Sequence, residues 1–252
     1  MTAFRSFLFS AVFYLLIMVM AVLALPFLAT PGGSRAVARV WSRLSLWALR
    51  VITGLKVEVR GLENLPEAGG LIAAKHQSAL ETFALVPYVG DFAFILKREL
   101  LRLPFFGWYA TRAGMIGVDR SAGASALRKM VSDSRDAVAE GRRVIIFPEG
   151  TRQAPGDAPD YKPGIAQLYA KLNTSCIPVA VNTGLFWPRG SSLRHPGTAV
   201  IEFLEPIPPG LDSRTFRAVL QESIETATAR LLAEAAPHGV PYTPASESPP
   251  AA

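Results

Sequence analysis

Hydrophobic and polar positions divide the first fifty-odd residues into two different segments. Residues 7–25 carry no charged side chain, and a helix of that length spans about 28 Å, close to the roughly 30 Å hydrocarbon thickness of a bilayer. Pro26 is expected to end or kink this helix. The segment is long for a signal peptide and lacks an Ala-x-Ala cleavage pair, so we expect it to be retained.

Residues 35–55 form the second segment, in which apolar residues recur at helical spacing and include Trp41 and Trp47. Such a basic, tryptophan-containing helix is typical of a bilayer interface, although its apolar stripe is also suited to packing on the domain's own core. Basic residues after the apolar segment predict a protein of the inner (cytoplasmic) membrane with its folded domain in the cytoplasm. A transmembrane helix and a hairpin within one leaflet both satisfy this pattern. The arginines concerned are Arg35, Arg39, Arg43 and Arg50.

From residue 56 onward, short β-rich runs alternate with helical stretches. This alternation predicts an α/β domain over residues 56–236, with a largely parallel central sheet covered by helices. An N-terminal membrane-associating helical pair, residues 1–55, precedes it, and residues 237–252, rich in proline and small residues, are predicted to be a disordered tail. The predicted strands are 56–60, 71–75, 92–96, 115–118, 144–147, 177–181 and 198–204, and the predicted helices include 79–88, 124–140, 164–173 and 213–234.

Composition and net charge limit the kinds of partner and reactive group that the chain can have. The net charge of +6 favours an anionic partner, and arginine is suited to bidentate contacts with phosphate. The basic residues are dispersed among strand ends instead of gathered with aromatic residues, so we predict no nucleic-acid partner. Cys176 is the only cysteine, which excludes an intrachain disulfide, and we expect it to be buried. We predict no metal, because no cluster has metal-ligand spacing.

His76 and Glu81 are the leading candidates for catalysis. They follow the predicted strand 71–75, and ligands usually bind at strand ends in α/β sheets. Neutral imidazole is a suitable general base at cellular pH, and a carboxylate on its other nitrogen fixes the tautomer and stabilises the imidazolium. The alternative is a surface histidine with an incidental acidic neighbour.

The sequence Phe-Pro-Glu-Gly-Thr-Arg at residues 147–152 follows another apolar strand. Gly150 allows a tight turn and a close approach to a ligand, while Arg152 and Thr151 supply donors for a phosphate. Glu149 has three interpretations: it holds Arg152, contacts the acceptor, or pairs with a buried arginine. A base combined with phosphate-binding groups indicates acyl transfer onto a phosphorylated alcohol.

Three further basic residues are candidates for the same cationic wall. Arg120 ends the short segment 114–120 and is either a second phosphate-binding group or the ion-pair partner of Asp119. Lys97 closes the predicted strand 92–96, where the alternative is a solvated strand end. Lys162 precedes a predicted helix whose N-terminus favours anions, or is simply a turn lysine.

Taken in order, His76-x4-Glu81 and residues 114–120, 147–152 and 177–181 resemble the four sequence blocks of the glycerolipid (lysophospholipid) acyltransferases. The resemblance covers about residues 35–210 and is closest to the bacterial 1-acyl-sn-glycerol-3-phosphate acyltransferases. It implies that His76 is the base and Glu81 its partner, and that Arg120, Gly150 and Arg152 bind the acceptor's glycerol phosphate. It also implies an acyl-CoA or acyl-carrier-protein thioester as co-substrate, with no separate cofactor.

One residue departs from that family's pattern. The first block usually ends in aspartate, whereas this chain has Glu81, so either the loop sets back or the histidine rotates to accommodate one more methylene. The expected reaction is acylation of the sn-2 hydroxyl of lysophosphatidic acid to phosphatidic acid, a step of phospholipid biosynthesis. Alternatives are another lyso-lipid acceptor, such as lyso-ornithine lipid, and a membrane-anchored anionic-lipid-binding protein. A hydrolase is disfavoured because no G-x-S-x-G sequence occurs.

Overall fold

Seven strands form a single sheet in the computed structural model of the chain. Their order is β1-β7-β6-β2-β5-β3-β4, and every neighbouring pair is parallel except β6 with β7. The predicted, largely parallel sheet is therefore confirmed, with each predicted strand boundary within one residue. The strands are β1 Leu55–Arg60, β2 Leu71–Ala74, β3 Phe92–Lys97, β4 Ile116–Val118, β5 Arg143–Ile146, β6 Cys176–Val181 and β7 Gly197–Phe203.

The structure describes residues 1–235, apart from the side chain of Arg120, so the tail predicted at residues 237–252 lies outside the described residues. The helix predicted at residues 79–88 is shorter, because α3 ends at Ala84. The α-helices are α1 Thr2–Leu23, α2 Pro31–Thr53, α3 Leu80–Ala84, α4 Phe106–Arg112, α5 Gly123–Ala139, α6 Gly164–Leu172, α7 Thr183–Phe186 and α8 Ser213–Ala235. Short 3-10 helices span Leu25–Ala29, Leu62–Asn64, Arg98–Arg102 and Arg120–Ala122.

Hydrophobic side chains of the sheet alternate between its two faces, as the period of a strand requires. Ile72 and Ala74 of β2 belong to a core that includes residues of α1, α2 and α3. Leu71 and Ala73 belong to a second core on the opposite face, packed by α5, α6 and α8. Helices therefore cover both faces, and the carboxyl ends of β2, β5 and β3 meet at one edge.

The apolar stripe of α2 divides between two environments. Trp41, Ala48 and Ile52 pack against the domain core. Small polar residues fill the remaining positions toward the domain, with Ser42 and Ser45 fully buried. The interpretation that the stripe packs on the domain core therefore holds for one side of the helix, while a second apolar face stays uncovered and is flanked by the exposed Arg43 and Arg50. That face consists of Val40, Leu44, Trp47 and Val51.

Helix α1 lies along the domain and is attached near both of its ends. Near its start, Ser6 Oγ accepts a hydrogen bond from the backbone N–H of Arg194 at 2.9 Å, and Phe9 is fully buried. Near its end, Tyr109 Oη donates to the carbonyl of Ala21 at 3.2 Å. Its length and composition suffice to cross a membrane, yet most of its apolar surface is exposed.

Candidate active site

His76, in the loop after β2, and Glu81, in the first turn of α3, form a direct contact. Nδ1 of His76 lies 2.8 Å from Oε1 of Glu81. An ionised carboxylate only accepts hydrogen bonds, so Nδ1 carries the proton and Nε2 keeps its lone pair. The geometry thus selects the tautomer that a general base requires.

The carboxylate of Glu81 is fully buried and held by three further donors. Its Oε1 accepts the backbone N–H groups of Gln77 at 2.8 Å and Ser78 at 2.7 Å. Its Oε2 accepts from the hydroxyl of Thr183 at 2.7 Å. The extra methylene is therefore accommodated by folding the side chain back onto the preceding loop, while the contact with His76 is kept.

Thr183 was not singled out by its sequence. It lies just beyond β6, and the pairing of β6 with β2 brings it near residues 75–79, the loop that carries His76 and is called the catalytic loop below. The available signal was its position two residues after the fourth sequence block. Gln77 contributes from the other side, because its side-chain oxygen accepts the backbone N–H of Gly184 at 3.1 Å.

Phe147 fixes the plane of the imidazole ring. The two rings are stacked with centroids 4.2 Å apart and an interplanar angle of 21°. Phe147 directly follows β5, which pairs with β2, so neighbouring strand ends place the two rings together. The His76 side chain is left 15% exposed, which keeps one edge accessible to a substrate.

Glu149 lies behind the catalytic loop instead of facing a substrate. Its Oε2 accepts the backbone N–H of His76 at 3.0 Å, and its Oε1 lies 2.7 Å from the ammonium of Lys75. Burial raises the pKa of Glu149, and the charge of Lys75 opposes that rise. None of the three interpretations of Glu149 included this lysine. Glu149 was predicted to contact a substrate, but its carboxylate is fully buried and does not face the cavity where a substrate would lie.

Most of the predicted phosphate-binding residues line the same cavity as His76. Gly150 adopts a left-handed backbone conformation with φ of +68°, which lets the chain turn there. The exposed ammonium of Lys162 pairs with Asp160. The predicted residues on the cavity wall are Lys97, Gly150, Thr151, Arg152 and Lys162.

Arg120 is the first residue of the 3-10 helix after β4, so its backbone lies beyond the end of the strand that pairs with β3. Its predicted role in phosphate binding stays a prediction. Asp119 accepts from the backbone N–H of Ser121 at 3.1 Å and lies 3.4 Å from the guanidinium of Arg98. Asp119 thereby caps the short helix.

The cavity has a volume of about 850 Å³ and is mostly apolar. It extends from His76 and Phe147 past β3 to the space between the N-terminal helices and α4. Its far wall is formed by Ile17, Met20, Val37, Trp41 and Tyr109. An extended hydrocarbon chain with a polar end near His76 is the shape of ligand that this space accepts.

Other potentially reactive groups are metal-ligating side chains and the thiol of Cys176. Within residues 1–235, no group of three or more His, Cys, Asp or Glu side chains is arranged to hold a metal ion. Cys176 is buried in β6, as expected, and burial raises the pKa of its thiol. A thiol in that state is a poor nucleophile.

A His–carboxylate pair at the end of a parallel strand, opening into a mostly apolar cavity, is an arrangement suited to general-base chemistry on an amphiphilic substrate. Comparison with known proteins gives the family. The acyltransferase family model matches residues 56–182. The chain therefore belongs to the acyltransferase family and is an enzyme of that class, as the four sequence blocks had indicated.

Individual relatives agree with this assignment. A Pseudomonas aeruginosa protein named 1-acyl-sn-glycerol-3-phosphate acyltransferase is 38% identical over 173 residues, covering 69% of this chain and 67% of that protein. A Chlamydomonas reinhardtii protein of that name is 32% identical over 209 residues, covering 81% of this chain and 61% of that protein. The crystal structure of the 1-acyl-sn-glycerophosphate acyltransferase of Thermotoga maritima has the same fold, with a TM-score of 0.75 at 23% identity. That match covers 92% of this chain and 98% of the other.

Proposed function

We propose that the protein transfers a fatty acyl group from an acyl thioester to the sn-2 hydroxyl of lysophosphatidic acid, giving phosphatidic acid. The observation that carries this proposal is that His76 lines one mostly apolar cavity together with the basic residues Lys97, Arg152 and Lys162. Such a cavity matches an acceptor with a phosphate head and one acyl chain, together with the acyl chain of the donor. The names of the relatives from Pseudomonas and Chlamydomonas support the same acceptor.

The reaction follows from the tautomer of His76. Nε2 takes the proton of the acceptor hydroxyl, and the resulting oxygen attacks the thioester carbonyl. Collapse of the tetrahedral intermediate forms the new ester, breaks the carbon–sulfur bond and expels the thiolate. The thiolate then takes the proton from the imidazolium. Glu81 stabilises the imidazolium between these two proton transfers, and its buried hydrogen bonds hold it in place.

The phosphate of the acceptor lies among the basic residues of the cavity wall. Arg152 offers a forked donor, and Lys97 and Lys162 supply point charges. Arg120, at the end of β4, is the predicted fourth member of this group. The acyl chains occupy the apolar part of the cavity beneath the N-terminal helices. The thioester donor is acyl-CoA or acyl carrier protein, and the acidic surface of an acyl carrier protein suits a chain of net charge +6.

Helices α1 and α2 lie in the plane of one leaflet of the inner membrane, with the catalytic domain on the cytoplasmic side. The attachment of α1 to the domain near both of its ends supports this placement. The exposed apolar face of α2, flanked by arginines, is typical of an interfacial helix. Exposed apolar side chains near the cavity extend this surface: Leu100, Leu103, Phe106 and Trp108.

The proposed acceptor is tested by offering two lyso-lipids side by side to purified membranes that contain the protein. Lysophosphatidic acid and lyso-ornithine lipid differ in their head groups, and each is supplied with acyl-CoA or with acyl carrier protein as the donor. We expect phosphatidic acid as the main product, and Arg152→Met to raise KM for lysophosphatidic acid about tenfold or more. Product from lyso-ornithine lipid alone would keep the chemistry and overturn the acceptor.

A further inference from the structure

Lys75 lies at the end of β2, directly before His76, and is almost completely buried, with 3% of its side chain exposed. Its ammonium lies 2.7 Å from Oε1 of Glu149 and 2.7 Å from Oε1 of Glu225. Glu225 belongs to α8, far along the chain from the other two. Burial of an ammonium between two carboxylates carries a cost in desolvation free energy. Such an arrangement therefore calls for a specific role.

The arrangement continues to the catalytic loop. The second oxygen of Glu149 accepts the backbone N–H of His76 at 3.0 Å. On the other side, Tyr161 donates its hydroxyl to the oxygen of Glu225 that also contacts Lys75, at 2.8 Å. A continuous polar chain therefore runs from α8 through Lys75 and Glu149 to the main chain of His76.

We propose that Lys75 and Glu225 are positioning residues that hold the catalytic loop through Glu149. Glu81 fixes the imidazole ring of His76 from one side. The chain of charges through Glu149 fixes the backbone of His76 from the other side. Position matters because displacement of a general base by about 1 Å is enough to cost on the order of 100-fold in rate. The four sequence blocks assign neither residue.

The charges of Glu149 and Glu225 explain why Lys75 is the central residue of this polar chain. Glu149 is fully buried, and Glu225 is only 27% exposed. Without the ammonium, two carboxylates would face each other across its empty position. Their repulsion is relieved by protonation of one carboxylate or by movement of Glu149, and movement releases the backbone N–H of His76. Loss of Lys75 therefore loosens the catalytic loop even though the substituted residue touches no substrate.

The test uses Lys75→Met in the full chain, since methionine keeps the length and removes the charge. We expect kcat to fall about 30-fold at saturating substrates while KM for the acceptor changes less than threefold. Hydrogen exchange of a peptide covering residues 75–81 is expected to accelerate, because the N–H of His76 loses its fixed acceptor. In the double variant Lys75→Met/Glu225→Gln, removal of one carboxylate is expected to restore kcat severalfold.

Arg230→Met is the control, because it also removes charge pairs of α8, with Glu202 and with Glu234 at 2.7 Å each, without touching this loop. It is expected to leave kcat within twofold and the exchange of residues 75–81 unchanged. Folded Lys75→Met with unchanged kcat and exchange would overturn the proposal. If that variant does not fold, Glu225→Gln decides, because kcat and exchange both at wild-type values would overturn it equally.

This inference rests on His76 being the base of the proposed function. The experiment nevertheless distinguishes an error in the proposed acceptor from an error in the positioning role. Exchange of residues 75–81 reports the loop directly, whichever lyso-lipid the enzyme accepts. A wrong acceptor leaves wild-type kcat at zero with lysophosphatidic acid and leaves the exchange comparison intact. If Lys75 does not position the loop, the wild type is active and Lys75→Met does not differ from it in kcat or in exchange.

Discussion

The hydroxyl of Thr183 lies 2.7 Å from Oε2 of Glu81 and joins the start of α7, after β6, to the first turn of α3, after the catalytic loop. Both side chains are fully buried. Because His76 contacts the other oxygen of the same carboxylate, Thr183 acts on the imidazole through Glu81. Thr183, two residues beyond the fourth sequence block, thus holds the carboxylate that contacts His76.

Thr183→Val removes this hydroxyl while conserving the shape of the side chain. We expect kcat to fall about 5- to 20-fold, because a buried hydrogen bond to a charged group contributes about 1.5–3 kcal/mol, of which only part orients His76. KM for the acceptor is expected to stay within about twofold. Steady-state kinetics of Thr183→Val and Thr183→Ser would check this, since serine keeps the hydroxyl. Equal losses in both variants would contradict it.

Glu81→Asp shortens the carboxylate by one methylene and keeps its charge. In this chain the carboxylate position is set by two backbone N–H groups and by Thr183, all arranged for the longer side chain. We expect aspartate to lose at least one of these contacts and kcat to fall about tenfold, less than for Glu81→Ala. Wild-type activity in Glu81→Asp would show that the loop adapts freely, against this account.

Asp91 fastens α2 to the loop before β3 by accepting from Arg39 at 2.6 Å and from Arg35 at 3.2 Å. Burial raises the pKa of Asp91, but the two arginines outweigh burial and hold the pKa below its ordinary value of 3.8. A carboxylate with a lowered pKa stabilises the fold above its unfolded pKa, and this contribution is lost as pH falls through the folded pKa.

Asp91→Asn is therefore expected to lower the free energy of unfolding at pH 7, by less than about 1 kcal/mol because the carboxylate is half exposed. The difference from wild type is expected to shrink below pH 3.8 as the wild-type carboxylate becomes protonated. Urea unfolding of both proteins in detergent at pH 7 and pH 3 measures it. A difference that grows toward acid would have the wrong sign.

Leu44 and Trp47 lie on the uncovered face of α2 and are 39% and 65% exposed. If this face enters the bilayer, Leu44→Ser/Trp47→Ser removes about 2–4 kcal/mol of apolar burial and weakens binding to anionic vesicles by about 30-fold or more. Vesicle co-sedimentation measures this. Leu62→Ser, 40% exposed and outside α1 and α2, is the control and is expected to bind like wild type. Equal binding by the double variant would argue against the membrane-facing surface.

Local patterns were sufficient to predict the seven strands and the long helices, because strand and helix periods are local properties of the chain. The contact between His76 and Glu81 was predictable for the same reason, since the two residues are five positions apart. The exposed face of α2 was only partly predictable. Whether its apolar stripe packs inward depends on Ser42 and Ser45 fitting closely against the domain, which is a tertiary property.

Long-range contacts explain what the sequence did not predict. Thr183 reaches Glu81 because β6 pairs with β2, and Glu225 reaches Lys75 because α8 packs across the sheet. Neither pairing leaves a signal at the residues concerned. Glu149 was expected near the substrate because it lies between residues of the cavity wall, but its side chain points into the core, toward Lys75.

The central claim is that Nε2 of His76 is the general base of acyl transfer. The most direct measurement is the rate of phosphatidic acid formation by membranes containing equal amounts of wild type or His76→Ala, after subtraction of the host's own activity. The loss of a positioned general base is expected to lower this rate at least 100-fold, while vesicle binding and the urea midpoint stay near wild type. Undiminished transfer by a folded His76→Ala protein would contradict the account.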